Sequence, residues 1–402
     1  MRGVKSKKTG ESADVDEDLS RPLTGVRVLE FGHVAAGPFA ASLLADLGAD
    51  VVKVEPPSGD QMRSWPPLVS DERETFSHNF ASVNRNKRSV TANLKDPKEF
   101  AEILALTREA DVIVENYRPG ALDRLGLGFD AVSHGHKGMV YCSISGFGLN
   151  SPYVSNGAYD VVIQGMSGLM SITGEPGGKP VKAGVPVADF ISGLYGAYTI
   201  AALLPKVRGS GHSARIDCPM LDCLLGASAL QTSEYWGSHK EPLPLGSAHP
   251  RNAPYQAYQA SDRDFIVAAG SHKLWLAVCD VTDLEHLADD PRFVDQEHRA
   301  ANQVALAEVL QERFSNKPAS AWVTELSARG VPASLVNSFG DILADSHITA
   351  TQLVQDVDVP VAGPTPMVVF PARIGEHPSK IYNAPPRLGE HNHDVFREWT
   401  ES

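Results

Sequence analysis

"VRVLEFGHVAAGPFAASLLADLGADVVKVE" (residues 26–55) reads as a strand, a helix and a second strand. Val26–Phe31 and Asp50–Glu55 are short β-branched runs bounded by turn residues. Between them Pro38 stands where a helix begins, since its missing N–H is not needed there, and Gly48 stops the apolar run "FAASLLADL". A strand, a helix and a parallel strand form a right-handed crossover. "DVIVEN" (111–116) and "GMVYCSIS" (138–145) continue the series. Ahead of the first of these, "DPKEFAEILALTREA" offers Asp96 as N-cap, Pro97 at the first helical position and Glu99 at capping-box spacing. The pattern predicts an α/β fold built on an open parallel sheet.

At 402 residues, 42% of them hydrophobic, the chain exceeds what one core holds, so two domains are expected. A net charge of -13 without a long Lys/Arg run argues against a nucleic-acid or membrane partner. Residues 1–20 mix charges of both signs, lack the apolar stretch of a signal peptide and read as a disordered lead-in. Phe190–Leu204, the longest apolar stretch, is too short and too interrupted by Gly and Tyr to span a bilayer. A cytoplasmic protein is expected. Cys142, Cys218, Cys223 and Cys279 form no CxxC pair and read as buried free thiols rather than disulfides or zinc ligands. The large domain is expected over 21–215, a connector with one helix near 221–236 over 216–254, a smaller α+β domain over 255–331, and a second connector and tail over 332–402. The prolines of 360–386 exclude central strands and helices there.

"EFGHVAAGPFA", the first βα turn, lies where open α/β sheets bind ligands, yet it is neither GxGxxG nor a P-loop, which disfavours a nicotinamide dehydrogenase. Backbone amides at the following helix start can still hold an anion. In "VKAGVPVADFISGLYGAYTIAALL" (181–204) one carboxylate, Asp189, sits among small and apolar residues at a helix start, where it reads as an N-cap or as a nucleophile. His391 and His393 lack companion ligands, so no metal is expected. "GSGHS" and "SISGF" are not nucleophile elbows.

"GHVAAGPF", "LGADVVKVEPPSGDQMRSWPP", "NRNKRSVTANLKDP", "VENYRPGALDRLGLG" and "GVPVADFISGLYGA" occur in that order, followed by "PRLGEH". From Pro22 to Gly389 the sequence resembles the class III CoA-transferases, of formyl-CoA transferase and carnitine CoA-transferase type. "SVNRNKRS", "GLMSITGEPGGKPVKAGV" and "HPRNAPYQAY" are most similar to the succinyl-CoA-dependent dicarboxylate branch. The resemblance implies a Rossmann-like large domain completed by the returning C-terminal tail, and an interlocked homodimer. It also implies acyl-CoA and a carboxylic acid as substrates, no permanently bound cofactor, and Asp189 as the nucleophile. CoA contacts carried over are His33, Val34, Arg63, Asn116, Tyr117, Arg124 and Leu125: Arg124 suits a phosphate, Tyr117 adenine, and the amides near His33 the thioester end. Around the acyl group it places Ala35, Ala36, Trp65, Tyr159, Gly270 and Ser271, with the last two offering oxyanion amides.

Three departures from the formyl-CoA transferase pattern set formate and oxalate specificity aside. Ala35 replaces a glutamine, Ser145 and Phe147 replace a lysine and a tyrosine, and "AAGSHK" (268–273) replaces a glycine-rich loop. Arg63, Arg85, His249 and Arg251 are candidate partners for a second substrate carboxylate. Amides at the helix start are expected to keep Asp189 ionised at neutral pH. The alternative is an α-methylacyl-CoA racemase of the same fold, which needs a second proton carrier. Racemases have a histidine in a "GHD" stretch; Ala158, Tyr159 and Asp160 stand there in this chain. A phenol with a pKa near ~10 is a poor substitute.

Overall fold

The computed structural model describes residues 19–72, 74–136, 138–375 and 378–401. The expected lead-in therefore lies, except for Leu19 and Ser20, outside the described residues. The chain forms two compact units, one comprising the chain up to Gly168, Ala183–Gly237 and everything from Ser346 onward, the other Leu169–Lys182 with Ser238–Asp345.

In the first unit the strands are β1 (Arg27–Phe31), β2 (Asp50–Glu55), β3 (Leu68–Ser70), β4 (Thr75–Ser77), β5 (Lys87–Thr91), β6 (Val112–Glu115), β7 (Val140–Ser145) and β8 (Ala214–Pro219). Six of them make one parallel sheet in the order β5-β2-β1-β6-β7-β8, while β3 and β4 pair as a separate hairpin. The chain winds outward from β1 to β2 and β5, then crosses back to β6. Strand order thus reverses between β1 and β6, which opens a crevice at their carboxyl ends.

Helices α1 (Ala36–Asp46), α2 (Pro97–Glu109), α3 (Asp160–Met166), α4 (Val187–Ser210), α5 (Met220–Ala227) and α6 (Ala229–Ser238) belong to the same unit. Asp96 caps α2 through the amides of Lys98 and Glu99 at 2.9 and 3.1 Å; Glu99 reaches the amide of Asn93 at 2.7 Å instead of closing a capping box. Ile103 and Leu106 of α2 pack with Leu29, Val52, Ile113 and Tyr141, and the C-terminal helix Asn392–Thr400 adds Val395 and Trp399 to this core. Trp399 Nε1 also donates to Asp50 at 2.8 Å. The C-terminal helix is thus packed within the first unit. Before it, Val354–Val359 and Gly363–Val368 pair as an antiparallel ribbon. Pro364 and Pro366 are tolerated there because a two-stranded ribbon has open edges.

Helix α4 continues six residues past Leu204, through Pro205, and ends at Gly211 with φ +68. By length and composition it could cross a bilayer, with mean hydropathy 1.5. Its glycines instead press it onto protein: a Cβ on Gly193 would lie 3.0 Å from the Ala36 carbonyl oxygen, and one on Gly196 3.3 Å from Ile144. The helix expected near 221–236 is two, α5 and α6, parted at Ser228.

The second unit has an antiparallel sheet of Tyr255–Gln259, Asp264–Ala268 and Ala333–Leu335. Phe265, Trp275, Phe314 and Trp322 fill its core, with Trp322 Nε1 donating to the Phe314 carbonyl at 2.7 Å. It begins at Ser238, earlier than expected, and takes in Leu169–Lys182, which the amide of Gly246 ties down through the Gly174 carbonyl at 2.8 Å.

Candidate active site

The turn after β1 stands on a buried ion cluster. Lys53 Nζ lies 2.8 Å from Glu30, 2.9 Å from Asp60 and 2.9 Å from the Gly32 carbonyl, all with side chains excluded from solvent. Burial alone would push this ammonium down, but Glu30, Asp60 and Glu55 overcome it and hold it charged. Lys87 sits 2.7 Å from the other oxygen of Glu30 and donates to the Pro38 carbonyl, and burial pulls it down to about 8 against Glu30. Asp60 in turn receives the amide of Val34 on both oxygens at 3.2 Å. Val34 has φ +61, which costs a β-branched residue ~1–2 kcal/mol and persists because this clamp holds it.

Asn116, just past β6, grips the same turn from the other side of the strand reversal. It accepts the His33 amide at 2.8 Å and donates to the His33 carbonyl at 3.0 Å. Gly37 must be glycine: a Cβ would fall 2.9 Å from Asn116 Oδ1. The His33 and Val34 amides, expected to hold the thioester end, are therefore already used. Those of Ala35, Ala36 and Gly37 have no partner among the described residues. Burial lowers the His33 imidazole pKa, and its ring lies 5.1 Å from that of Tyr117. Glu115, pushed up to about 7 by burial, accepts the Tyr117 amide at 2.9 Å. Together with Arg118, Ser143, Ser145 and Arg215 these two line a crevice at the ends of β6 and β7. Arg124 and Leu125 are exposed at the end of the short helix Ala121–Arg124.

Arg63 and Arg85, both candidate substrate contacts, are engaged within the chain. Arg63 makes a two-point ion pair with Glu55 at 2.7 and 2.7 Å, donates to the Pro386 carbonyl and stacks over Phe80. Arg85 is buried and paired with Asp46. Both cations hold the fold together.

Asp189 occupies the third position of α4, and the cap position belongs to Pro186, which makes no side-chain cap bond. The capping role falls to Asp160, whose Oδ1 accepts the Ala188 amide at 2.8 Å. The Asp189 carboxylate itself accepts no hydrogen bond among the described residues. Burial, reinforced by the charge of Asp160, pushes its pKa up to about 7. Both effects oppose the expectation that helix amides keep it ionised at neutral pH. A helix dipole contributes only ~0.3–2 kcal/mol, less than the burial and like-charge terms opposing it. Phe190 packs on Phe39 at 4.5 Å between ring centroids, and Gly193 touches α1 at Ala36, so the start of α4 and the start of α1 abut.

Ala35 and Ala36 are buried at the start of α1; Trp65 is 41% exposed and Tyr159 76%. Gly270 and Ser271 are exposed in the second unit, where Ser271 caps the helix His272–Thr282 through the Leu274 amide. There too, His249 Nδ1 accepts the amides of Arg251 and Asn252 at 3.1 Å each. The four cysteines are buried free thiols. No group of three or more metal-ligating side chains occurs among the described residues. Asp60, Lys53, Glu30, Asp160 and Gln164 were not singled out from sequence as site residues. The signal for Asp60 was its place after Gly59 in "PPSGDQM", a turn-then-cap pattern.

The profile of CoA-transferase family III matches residues 23–392. The chain belongs to this family. It is a class III CoA-transferase, for which CoA arrives as part of a substrate and no permanent cofactor is involved. It is similar to the succinate–glutarate CoA-transferase of Agrobacterium fabrum, 36% identical over 381 residues that cover 94% of this chain and 95% of that one. The succinyl-CoA:mesaconate CoA-transferase of Haloarcula marismortui is 32% identical over 94% of this chain and 96% of its own length. Among solved structures, a CAIB/BAIF family protein from Brucella suis superposes with a TM-score of 0.85 at 36% identity, covering 94% of this class III CoA-transferase and all of that chain.

Proposed function

We propose that this enzyme moves CoA from succinyl-CoA, or a similar acyl-CoA, to a dicarboxylic acid, with Asp189 as covalent nucleophile. One observation carries the reading: a carboxylate without hydrogen-bond partners among the described residues, at the start of a helix that Gly193 packs closely against α1. An Asp189 oxygen attacks the thioester carbonyl and the C–S bond breaks, giving a mixed anhydride and CoA thiolate. The thiolate attacks the aspartyl carbonyl, which expels the donor acid as carboxylate and leaves an aspartyl-CoA thioester. The acceptor carboxylate then attacks that carbonyl, releasing thiolate again. Thiolate attack on the acceptor's carbonyl yields the new acyl-CoA and restores Asp189.

His33, Asn116, Tyr117 and the exposed Arg124 would take the CoA along the crevice, with the guanidinium paired to a phosphate. The names of the relatives support succinate, glutarate and mesaconate as the class of acids. Buried free thiols suit a reducing compartment, in keeping with the cytoplasm. Tyr198, Leu230 and Trp236, at 73%, 68% and 70% exposed on α4 and α6, support the interlocked homodimer by the apolar area they leave for a partner. A sedimenting mass of one chain would overturn it.

The function is tested by incubating the protein with succinyl-CoA and a panel of glutarate, mesaconate, citramalate, oxalate and monocarboxylic aromatic or branched acids, with the CoA esters read by mass. Dicarboxylate esters are expected to dominate; far better turnover of the monocarboxylic acids would refute the reading. In the same assay Arg124→Ala should raise the KM for succinyl-CoA about tenfold, the size of a lost charge-assisted hydrogen bond, with kcat little changed.

A further inference from the structure

A relay of four polar groups brackets the segment that leads into α4. The Ala183 amide donates to Gln164 Oε1 at 2.8 Å, Gln164 Nε2 donates to Asp160 Oδ2 at 2.6 Å, and Asp160 Oδ1 accepts the Ala188 amide at 2.8 Å. Gln164 is wholly buried, so both ends of its amide are matched where water cannot substitute. The loop 183–188 is therefore held at both ends by one short helix, α3, whose fifth residue carries Gln164 and whose first carries Asp160.

We propose that Asp160 is a positioning residue for Asp189: with Gln164 it fixes the first turn of α4 from outside, and it does so with a second carboxylate set close to the reacting one. This rests on the reading of Asp189 as nucleophile. A neutral cap such as asparagine would still accept the Ala188 amide, though its single acceptor oxygen leaves Gln164 Nε2 facing another donor. A charged one adds a field that disfavours a second negative charge nearby. Burial acts on Asp189 first and Asp160 second in raising its pKa to about 7, and Asp160 is the charged group that acts on it. The elements packed against α4 are α1, α3, α5, β7 and β8. Their other titratable side chains, Asp46, Tyr141, Cys142, Arg215, Asp217, Cys218, Asp222 and Cys223, exert no resolved effect there.

Two roles follow for one side chain. Its hydrogen bonds set where the nucleophile stands, and its charge keeps part of the Asp189 population protonated at neutral pH, which weakens repulsion of an incoming anionic acid. The ionised fraction attacks, and its carboxylate is more basic, hence more nucleophilic, than an unperturbed aspartate.

The test measures single-turnover release of succinate from succinyl-CoA between pH 5 and 9 in wild type, Asp160→Asn, Asp160→Ser and Asp160→Ala, alongside Asp189→Asn. Wild-type rate should rise through a pH near 7. In Asp160→Asn, which keeps an acceptor for the Ala188 amide and loses the charge, the rising limb should move to lower pH with KM for succinyl-CoA within about twofold, and in Asp160→Ser, which loses the charge and shortens the side chain, the limb should move the same way. Asp160→Ala loses the cap as well, so its plateau rate should also fall roughly ten- to a hundredfold from misplacement of Asp189. Either folded charge-free variant, Asp160→Asn or Asp160→Ser, decides the matter: a rising limb left at the wild-type pH overturns the proposal. Activity surviving in Asp189→Asn would instead overturn the nucleophile reading, and the two failures are told apart because they appear in different variants.

Discussion

Asp189→Asn should lose CoA transfer by on the order of 10⁴-fold or more while still folding and binding succinyl-CoA, because asparagine keeps the volume and lacks the attacking oxygen anion. Asp189→Glu should fail as well, since a longer side chain carries the oxygen out of near-attack geometry. Stability should move the other way. The folded-state pKa of Asp189 is raised to about 7, above that of an unfolded aspartate near ~4. Its stabilising contribution is whole below pH ~4, declines as pH rises toward 7 and is gone above that. At pH 8 the wild type therefore bears the cost of a partly buried charge beside Asp160, and Asp189→Asn does not. A higher melting temperature for the variant at pH 8, shrinking toward pH 4, is the expected signature. Full transfer activity in Asp189→Asn, with no hydroxylamine-sensitive adduct at 189 in the wild type, would leave the aspartate without a covalent role.

Lys53→Met should destabilise the first unit by about 3–5 kcal/mol, the cost of stranding buried carboxylates whose cation is removed. Glu30 keeps Lys87, but Asp60 loses its only ion-pair partner among the described residues. Denaturant midpoints followed by a probe in the first unit measure this. Adding Asp60→Asn to Lys53→Met should recover part of the loss by removing one orphaned charge. An unchanged midpoint in Lys53→Met would mean that water reaches the cluster and screens it.

The same cluster explains what could and could not be read from the sequence. β1, β2, β6 and β7 were legible because their apolar β-branched runs alternate with helix signals. β5 was not: "KRSVT" carries two cations, and only the fold reveals that Lys87 is buried on Glu30 while Arg88 reaches Asp50 and Glu398. β8, "ARIDCP", ends in proline and looked like connector, although an edge strand of a parallel sheet accepts it. Asp189 stood out as a lone charge in an apolar run. Asp160 did not, since its significance lies in a contact with Ala188 across twenty-eight positions of sequence. Arg63 shows the same limit: a motif can show that an arginine is present but not that it pairs with Glu55.

Trp399 closes the core between α2 and the β2–β5 edge of the sheet, bonding to Asp50 across 349 positions of sequence. On the ribosome this sets an order of events. The second unit draws nearly all its residues from 238–345 and can collapse as soon as they emerge. The sheet that carries the His33 turn must wait, its face against α2 incompletely covered, until the helix Asn392–Thr400 leaves the exit tunnel. The first strand made thus belongs to the last body finished, and nascent chains stalled short of residue 392 should present that uncovered face to chaperones.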